Sequence, residues 1–120
     1  YAPCALGATV NDQTISKLNC SIIAGAANNQ LADENKHGHL LMEKGIIYAP
    51  DFLINAGGVM NCYAEVMNIS NEDVMKMAEN IYSTTYDIIK TSQLESIPTF
   101  LVANKMAEER IKRELALKSS

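Results

Sequence analysis

The 120-residue sequence has few cysteines, few basic residues and no long hydrophobic run, and each shortage excludes a class of protein. Its three cysteines are odd in number and form no Cys-x-x-Cys pair, which argues against a disulfide framework or a zinc site. Lys and Arg total 10 against 14 Asp and Glu, so the clustered cations that bind nucleic acid are missing. No stretch approaches the roughly 20 apolar residues that span a membrane. We therefore expect no nucleic-acid or membrane partner, and a reducing, cytoplasmic location.

The start of the chain has no initiator Met and no helix or turn signal before Tyr1, Ala2 and Pro3. It also lacks the basic region followed by an apolar one that marks a signal peptide. The length is typical of one domain. We expect the chain to be a piece of a longer protein.

The first half alternates short apolar runs with helical patterns, which is typical of an α/β fold with a parallel sheet. The predicted elements are a short helix over residues 11–18, a strand over 20–24, a helix over 32–44, a strand over 46–48 and a third, very short strand over 52–54. Gly45 is well suited to end the longer helix. We thus expect strands whose carboxyl ends lie at one edge of a sheet.

The second half is predicted to be helical. Helices are expected over residues 57–67, 71–92 and from Pro98 to about 117. Ser70 and Asp73 approximate a capping box at the start of the long helix, and Pro98 fits the first turn of the last one. Glu108 and Lys112 have the favourable spacing of an ion pair on a solvated helix face.

Three predicted strand ends carry loops rich in Gly, Ala and Asn, over residues 5–8, 25–29 and 55–58. In an open parallel sheet, ligands bind outside the carboxyl ends of the strands. Small side chains let a flat ligand approach the backbone, and Asn offers both a donor and an acceptor, which suits an amide-bearing ring such as nicotinamide. Gly and Asn also form plain turns, so spacing alone leaves Asn28 and Asn55 open to that simpler interpretation.

Four blocks of sequence, in this order, resemble the glutamate/leucine/phenylalanine/valine dehydrogenases, and the leucine-specific members most. These blocks are residues 1–8, 24–31, 48–59 and 107–111. The resemblance covers essentially the whole chain but only the C-terminal part of the family, without its catalytic domain and its G-x-G-x-x-G turn. It implies the second half of a Rossmann-like parallel sheet followed by C-terminal helices. Residues 1–70 would be a partial NAD(P)-binding half, and 71–120 the closing helices of the same domain.

The resemblance also implies a reaction and the residues that take part in it. The family oxidatively deaminates an L-amino acid to a 2-oxo acid and ammonia and reduces NAD(P). The implied cofactor-binding residues are Cys4, Ala5, Leu6, Ala27, Asn28 and Asn55. The implied substrate-binding residues are Asn55, Val59, Cys62 and Thr84, although helix packing explains Thr84 equally well. NAD is the expected cofactor, and NADP is not excluded because the residue that reads the ribose 2′ position lies upstream.

Cys62 is the one residue that bears on the choice of substrate. Glutamate-specific relatives place a Ser there to hold the side-chain carboxylate, whereas a thiol is a weak donor that packs like a small hydrophobe. We therefore expect an apolar, leucine-like substrate, with glutamate and phenylalanine as alternatives.

No catalytic residue is predicted within this chain. Its lysines fall on predicted helices in polar company, whereas a catalytic base needs a lowered pKa. His37 and His39 are expected to be surface residues, because neighbours at i,i+2 point to different sides of a helix. The resemblance puts the catalytic lysines in a missing N-terminal domain. Two further expectations are a homo-oligomer, since half a sheet leaves an unpaired edge, and, as an alternative function, a non-catalytic assembly module.

Overall fold

A computed structural model describes residues 1–118 and shows two short parallel strands and five α-helices in this range. In chain order these are a 3-10 helix Ile15–Lys17, β1 Ile22–Ile23, α1 Glu34–Glu43, β2 Ile47–Tyr48, α2 Asp51–Ile54, α3 Gly57–Met67, α4 Asn71–Glu95 and α5 Thr99–Lys118. The α/β class with parallel strands is confirmed. None of these helices is both long and apolar enough to cross a membrane.

The sheet is extended by the first residues of the chain. β1 and β2 pair in parallel, with Ile22 opposite Ile47. On the other side of β1, the Tyr1 ammonium group donates to the Ile22 carbonyl at 2.9 Å, and Ala24 N–H donates to the Tyr1 carbonyl at 3.0 Å. This is the slanted pattern of a parallel pair. Three segments therefore run side by side in the same direction, and their carboxyl ends share one edge.

Two apolar clusters hold the elements together. The first lies between the sheet, the 3-10 helix and α1, and contains Val10, Ile15, Ile23, Leu31, Leu41, Ile46 and Tyr48. The second joins α4 to α5 through Ile88, Val102 and Ala103. α2 and α3 both pack on α4.

Local signals explain where the helices begin and end. Gly45 follows α1 with a φ of +69°, and Ile46 N–H donates back to the Leu41 carbonyl, which completes the predicted glycine stop. Ser70 Oγ accepts from Asp73 N–H and donates to its carboxylate, so the predicted start of α4 is confirmed. The predicted Glu108–Lys112 pair forms, at 3.8 Å between Nζ and Oε2.

Two predicted elements of the first half are wrong. Residues 52–54 form helix α2 and not a third strand, because Pro50 and Asp51 favour a helical first turn. The helix expected over 11–18 shrinks to three residues of 3-10 helix. There the Asn11 side chain accepts from the backbone N–H groups of Gln13 and Thr14 and holds a turn instead.

Candidate functional site at the carboxyl edge of the sheet

The first two loops at the carboxyl edge meet through their backbones. Ala27 N–H donates to the Pro3 carbonyl at 2.9 Å, and Ala8 N–H donates to the Asn29 carbonyl at 2.7 Å. A Cβ atom on Gly25 would lie 2.1 Å from the Pro3 oxygen, so only glycine allows this approach. The small residues of these loops thus allow the chain segments to lie close together.

The second and third loops meet through two asparagine side chains. Asn55 Nδ2 donates to Asn28 Oδ1 at 2.5 Å, although 27 residues separate the two in sequence. Within residues 1–118 neither side chain makes another hydrogen bond. An amide has two donors and an oxygen that accepts twice. The pair therefore keeps polar groups available to a ligand, and the two side chains assigned from sequence to one site do contact each other.

Sequence reasoning missed two buried residues behind this asparagine pair, Gln30 and Asp51. Gln30 Nε2 donates to the carbonyls of Gly25 and Ala27 at 2.7 and 2.9 Å, which closes the second loop on itself. Its backbone N–H donates to Asp51 Oδ2 at 2.7 Å. The sequence offers only a weak signal for them, namely that Gln30 directly follows a small-residue loop and Asp51 follows a proline.

Carboxylates give this region a negative character. The Asp51 side chain is buried, and its backbone N–H donates to the Tyr48 hydroxyl at 3.3 Å. Burial, and then the charge of Asp51, raises the pKa of Tyr48, which stays a neutral phenol. The same two causes raise the pKa of Glu34. An additional anion is therefore disfavoured close to these groups, whereas a neutral or cationic ring is not.

The residues assigned from sequence to the cofactor differ in accessibility. Cys4, Ala5 and Leu6 are exposed on the first loop, and Leu6 leaves 75% of its surface open. Ala27 is buried and meets its neighbours through its backbone. The structure thus leaves the three loop residues and the asparagine pair accessible, while Ala27 shapes the second loop from inside.

The residues assigned to the substrate fall into two places. Val59 and Cys62 lie on α3, one turn apart and both exposed, just after Asn55 in the chain. Thr84 lies on α4, in a cleft of about 500 Å³ between α2, α4 and α5. That cleft is lined by Phe52, Leu53, Ile88, Met106 and Arg110 among others, but not by Asn55, Val59 or Cys62. Thr84 is therefore the only one of the four that lines this cleft in the described part of the chain.

The surface position predicted for His37 is wrong. Its side chain is 3% exposed, because it lies on the same face of α1 as Leu41. His37 Nδ1 accepts from Asp33 N–H at 3.0 Å, and Nε2 lies 3.0 Å from the Asp12 carboxylate. Asp12 also binds Lys36, at 2.7 Å, and this contact above all lowers the pKa of Asp12. The histidine therefore helps to hold the 3-10 region on the start of α1.

Known proteins resemble the chain over nearly its whole length. It is 50% identical over 111 residues to leucine dehydrogenase from Thermoactinomyces intermedius, which covers 92% of this chain and 30% of the relative. It is 51% identical over 113 residues to leucine dehydrogenase from Bacillus subtilis, covering 94% and 31%. It is 44% identical to L-tryptophan dehydrogenase from Nostoc punctiforme, covering 99% and 34%. The chain thus spans about a third of the length of these relatives.

Solved structures agree with this fold. The crystal structure of L-tryptophan dehydrogenase from Nostoc punctiforme superposes with a TM-score of 0.90 at 46% identity, covering 93% of this chain and 33% of that one. Glutamate dehydrogenase from Peptoniphilus asaccharolyticus, at 21% identity, shares the fold with a TM-score of 0.75 over 98% of this chain and 31% of that one. Residues 1–118 also match the sequence model of one family. The chain therefore belongs to the glutamate/leucine/phenylalanine/valine dehydrogenase family.

Proposed function

We propose that this chain forms the nicotinamide side of an NAD-dependent dehydrogenase that oxidatively deaminates an apolar L-amino acid, with leucine as the first candidate. The observation that carries the proposal is the contact of Asn28 and Asn55, which brings two amides from separate strand ends to one point of the carboxyl edge. Relatives of about 50% identity named leucine dehydrogenase support the choice of substrate. NADP remains the alternative cofactor.

The accessible residues fit a flat ring with a carboxamide. No atom outside the local backbone lies within 4 Å of where a Cβ on Gly57 or Gly58 would be, so a ligand has room to approach the start of α3. The spare donors and acceptors of Asn28 and Asn55 match those of a carboxamide. We propose that Cys4, Ala5, Leu6 and Ala27 border the adjacent ribose.

Each side chain has a limited part in the reaction. The bound nicotinamide supplies the acceptor for the hydride that leaves the substrate Cα. Asn55 hydrogen-bonds substrate, cofactor or both, and so holds the Cα hydrogen towards the ring. Water then adds to the substrate imine, and loss of ammonia gives the 2-oxo acid. The general base and the cation for the substrate carboxylate come from the part of the protein that this chain does not span.

Substrate choice rests on the exposed face of α3 next to Asn55. Val59 is 73% exposed, and Cys62 follows one turn later. We propose that both contact the substrate side chain, where neither provides a partner for a carboxylate. Thr84 belongs to this group only if its cleft joins the substrate pocket in the whole protein.

We also propose an arrangement for the whole protein. Residues 1–70 are part of a cofactor-binding half, and 71–120 are the closing helices of the same domain, of which residues 119 and 120 lie outside the described part of the chain. A preceding catalytic domain completes the site, and further copies of the protein cover apolar surface such as Ile22, which is exposed on β1. The three unpaired cysteines suit a cytoplasmic location.

The test measures turnover of leucine, phenylalanine and glutamate by the protein that carries this chain, and then replaces Asn55 with Ala. Losing one hydrogen bond to a charged group, or to a group that becomes charged in the reaction, costs about 1.5–3 kcal/mol. We therefore expect kcat/KM for leucine to fall about 10- to 150-fold in Asn55→Ala. The matched control is Asn61→Ala, since Asn61 is an exposed residue of α3 whose side chain donates to Glu65 on the same helix. Faster turnover of glutamate than of leucine contradicts the role of Cys62, and an unchanged Asn55→Ala enzyme contradicts the proposed site.

A further inference from the structure

We infer that Gln30 and Asp51 are positioning residues that set the separation of Asn28 and Asn55, and thereby the geometry of hydride transfer; the inference rests on the proposed function. Neither residue reaches the accessible face of the site. Gln30 is fully buried and Asp51 is 8% exposed. They act through the backbones of the two loops that carry the asparagines.

Gln30 gives the second loop its shape. Both N–H groups of its side-chain amide are used, one on the Gly25 carbonyl and one on the Ala27 carbonyl. Asn28 lies directly beyond the second of these carbonyls. A side chain without two donors leaves one or both carbonyls buried and unpaired, so the loop that presents Asn28 loses its internal support.

Asp51 connects this loop to the third one. Its Oδ2 accepts from Gln30 N–H at 2.7 Å, while its own carbonyl accepts from Asn55 N–H at 3.0 Å. Asn55 therefore lies one helical turn after Asp51. Asn28 lies two residues before Gln30. Asp51 thus contacts the bases of both asparagine loops, the second loop through its carboxylate and the third through its backbone carbonyl.

The buried link, and not the contact between the asparagines, sets their separation. The Asn55–Asn28 bond is at the surface, where water competes for both partners and the net stabilisation is small. A ligand that uses these amides also has to replace that bond. The Asp51–Gln30 bond is buried and charge-assisted, so it persists when the asparagines exchange partners.

A purely structural role predicts a different result from a positioning role. If Asp51 only stabilises the fold, its loss lowers the fraction of active enzyme and leaves the rate constant of hydride transfer unchanged. If Asp51 positions the asparagines, the rate constant itself falls in correctly folded enzyme. The first turnover separates the two, since the amplitude of NADH formation reports active sites and its rate constant reports the chemical step.

The experiment compares Asp51→Asn and Asp51→Ala with the wild type in the protein that carries this chain. The control is Asp73→Ala, because Asp73 is also an aspartate in the first turn of a helix but is exposed on α4 and binds Lys76 and Ser70, which are not part of these loops. We expect Asp51→Ala to lower the first-turnover rate constant of leucine oxidation at least tenfold, with an amplitude within twofold of the wild type. Asp51→Asn keeps an acceptor oxygen and should fall between the two, while Asp73→Ala should leave the rate constant unchanged.

Amide hydrogen exchange provides a readout that does not depend on activity. We expect faster exchange in residues 24–31 and 51–58 of both Asp51 variants, and unchanged exchange in α1. If Asp51→Ala does not fold, the near-isosteric Asn variant carries the test. An unchanged rate constant with unchanged exchange in the two loops, or faster exchange throughout the molecule, overturns the inference. A wild-type protein that oxidises none of the amino acids overturns the proposed function instead, and the exchange result still decides whether Asp51 links the loops.

Discussion

Replacing Gly25 with alanine adds one methyl group where two chain segments leave no room for it. The new Cβ would lie 2.1 Å from the Pro3 oxygen, 2.5 Å from its nitrogen and 2.7 Å from its carbonyl carbon. These are backbone atoms, so no side-chain rotation relieves the clash. Gly25 does not have a positive φ, and an alanine there adds no conformational strain of its own. The change in the free energy of unfolding on Gly25→Ala therefore reports how closely segment 1–3 approaches the second loop.

The expected loss in the free energy of unfolding follows from the hydrogen bonds that the new methyl group would break. Moving segment 1–3 away from β1 weakens the hydrogen bonds of Tyr1 to Ile22, of Ala24 to Tyr1 and of Ala27 to Pro3. Overpacking costs about 1–3 kcal/mol. Each lost backbone hydrogen bond adds about 0.5–1.5 kcal/mol. With two of the three bonds broken, we expect the free energy of unfolding to fall by about 2–6 kcal/mol.

The assay is urea unfolding of the protein that carries this chain, followed by circular dichroism, with Gly58→Ala as the matched control. The space around a Cβ on Gly58 is open and the residue lies inside α3, where alanine is favoured over glycine by up to about 1 kcal/mol. The same substitution should thus have opposite signs at the two positions. A Gly25→Ala protein as stable as the wild type would refute the close approach of the first loop to the second.

Two further predictions concern contacts outside the site. A Cβ on Gly38 would lie 2.5 Å from Cε1 of Phe100, so Gly38→Ala should lower the free energy of unfolding by about 1–3 kcal/mol. Adding Phe100→Leu should relieve this clash, and a double mutant that regains less than about 0.5 kcal/mol of the lost free energy would contradict this cause. The pKa of Asp12 is lowered, chiefly by Lys36 and then by His37, so its stabilisation is present above the unfolded value of about 3.9 and is lost as the pH falls through the lower folded value. The melting temperature of Asp12→Asn should therefore lie below that of the wild type at neutral pH and approach it as the pH falls into the acid range, and a difference that does not change with pH would speak against the ion pair.

Several features could be predicted because their causes lie within a few residues. The glycine stop at Gly45 and the cap at Ser70 depend on local backbone chemistry, and both form where the sequence indicates. Helix α3 occupies residues 57–67 as expected. The parallel pairing of the strands followed from the strand–helix–strand spacing, which leaves few other connections.

The wrong predictions share a different cause. Residues 52–54 are apolar and suit a strand, yet Pro50 and Asp51 begin a helical turn that includes them. His37 was expected at the surface from its spacing to His39. It is buried because the turn that carries Asp12 packs over the first turn of α1.

By itself, the sequence determined most of the elements and their order, the three small-residue loops and the family, since these depend on local propensity and on motifs that a linear pattern carries. Only the tertiary structure decided that Asn55 binds Asn28, that Gln30 and Asp51 lie behind them, and that Thr84 lines a cleft between α2, α4 and α5. The physical reason is that such contacts join residues more than 20 positions apart. Their distances are set by how the strands and helices pack, and not by the spacing of residues along the chain.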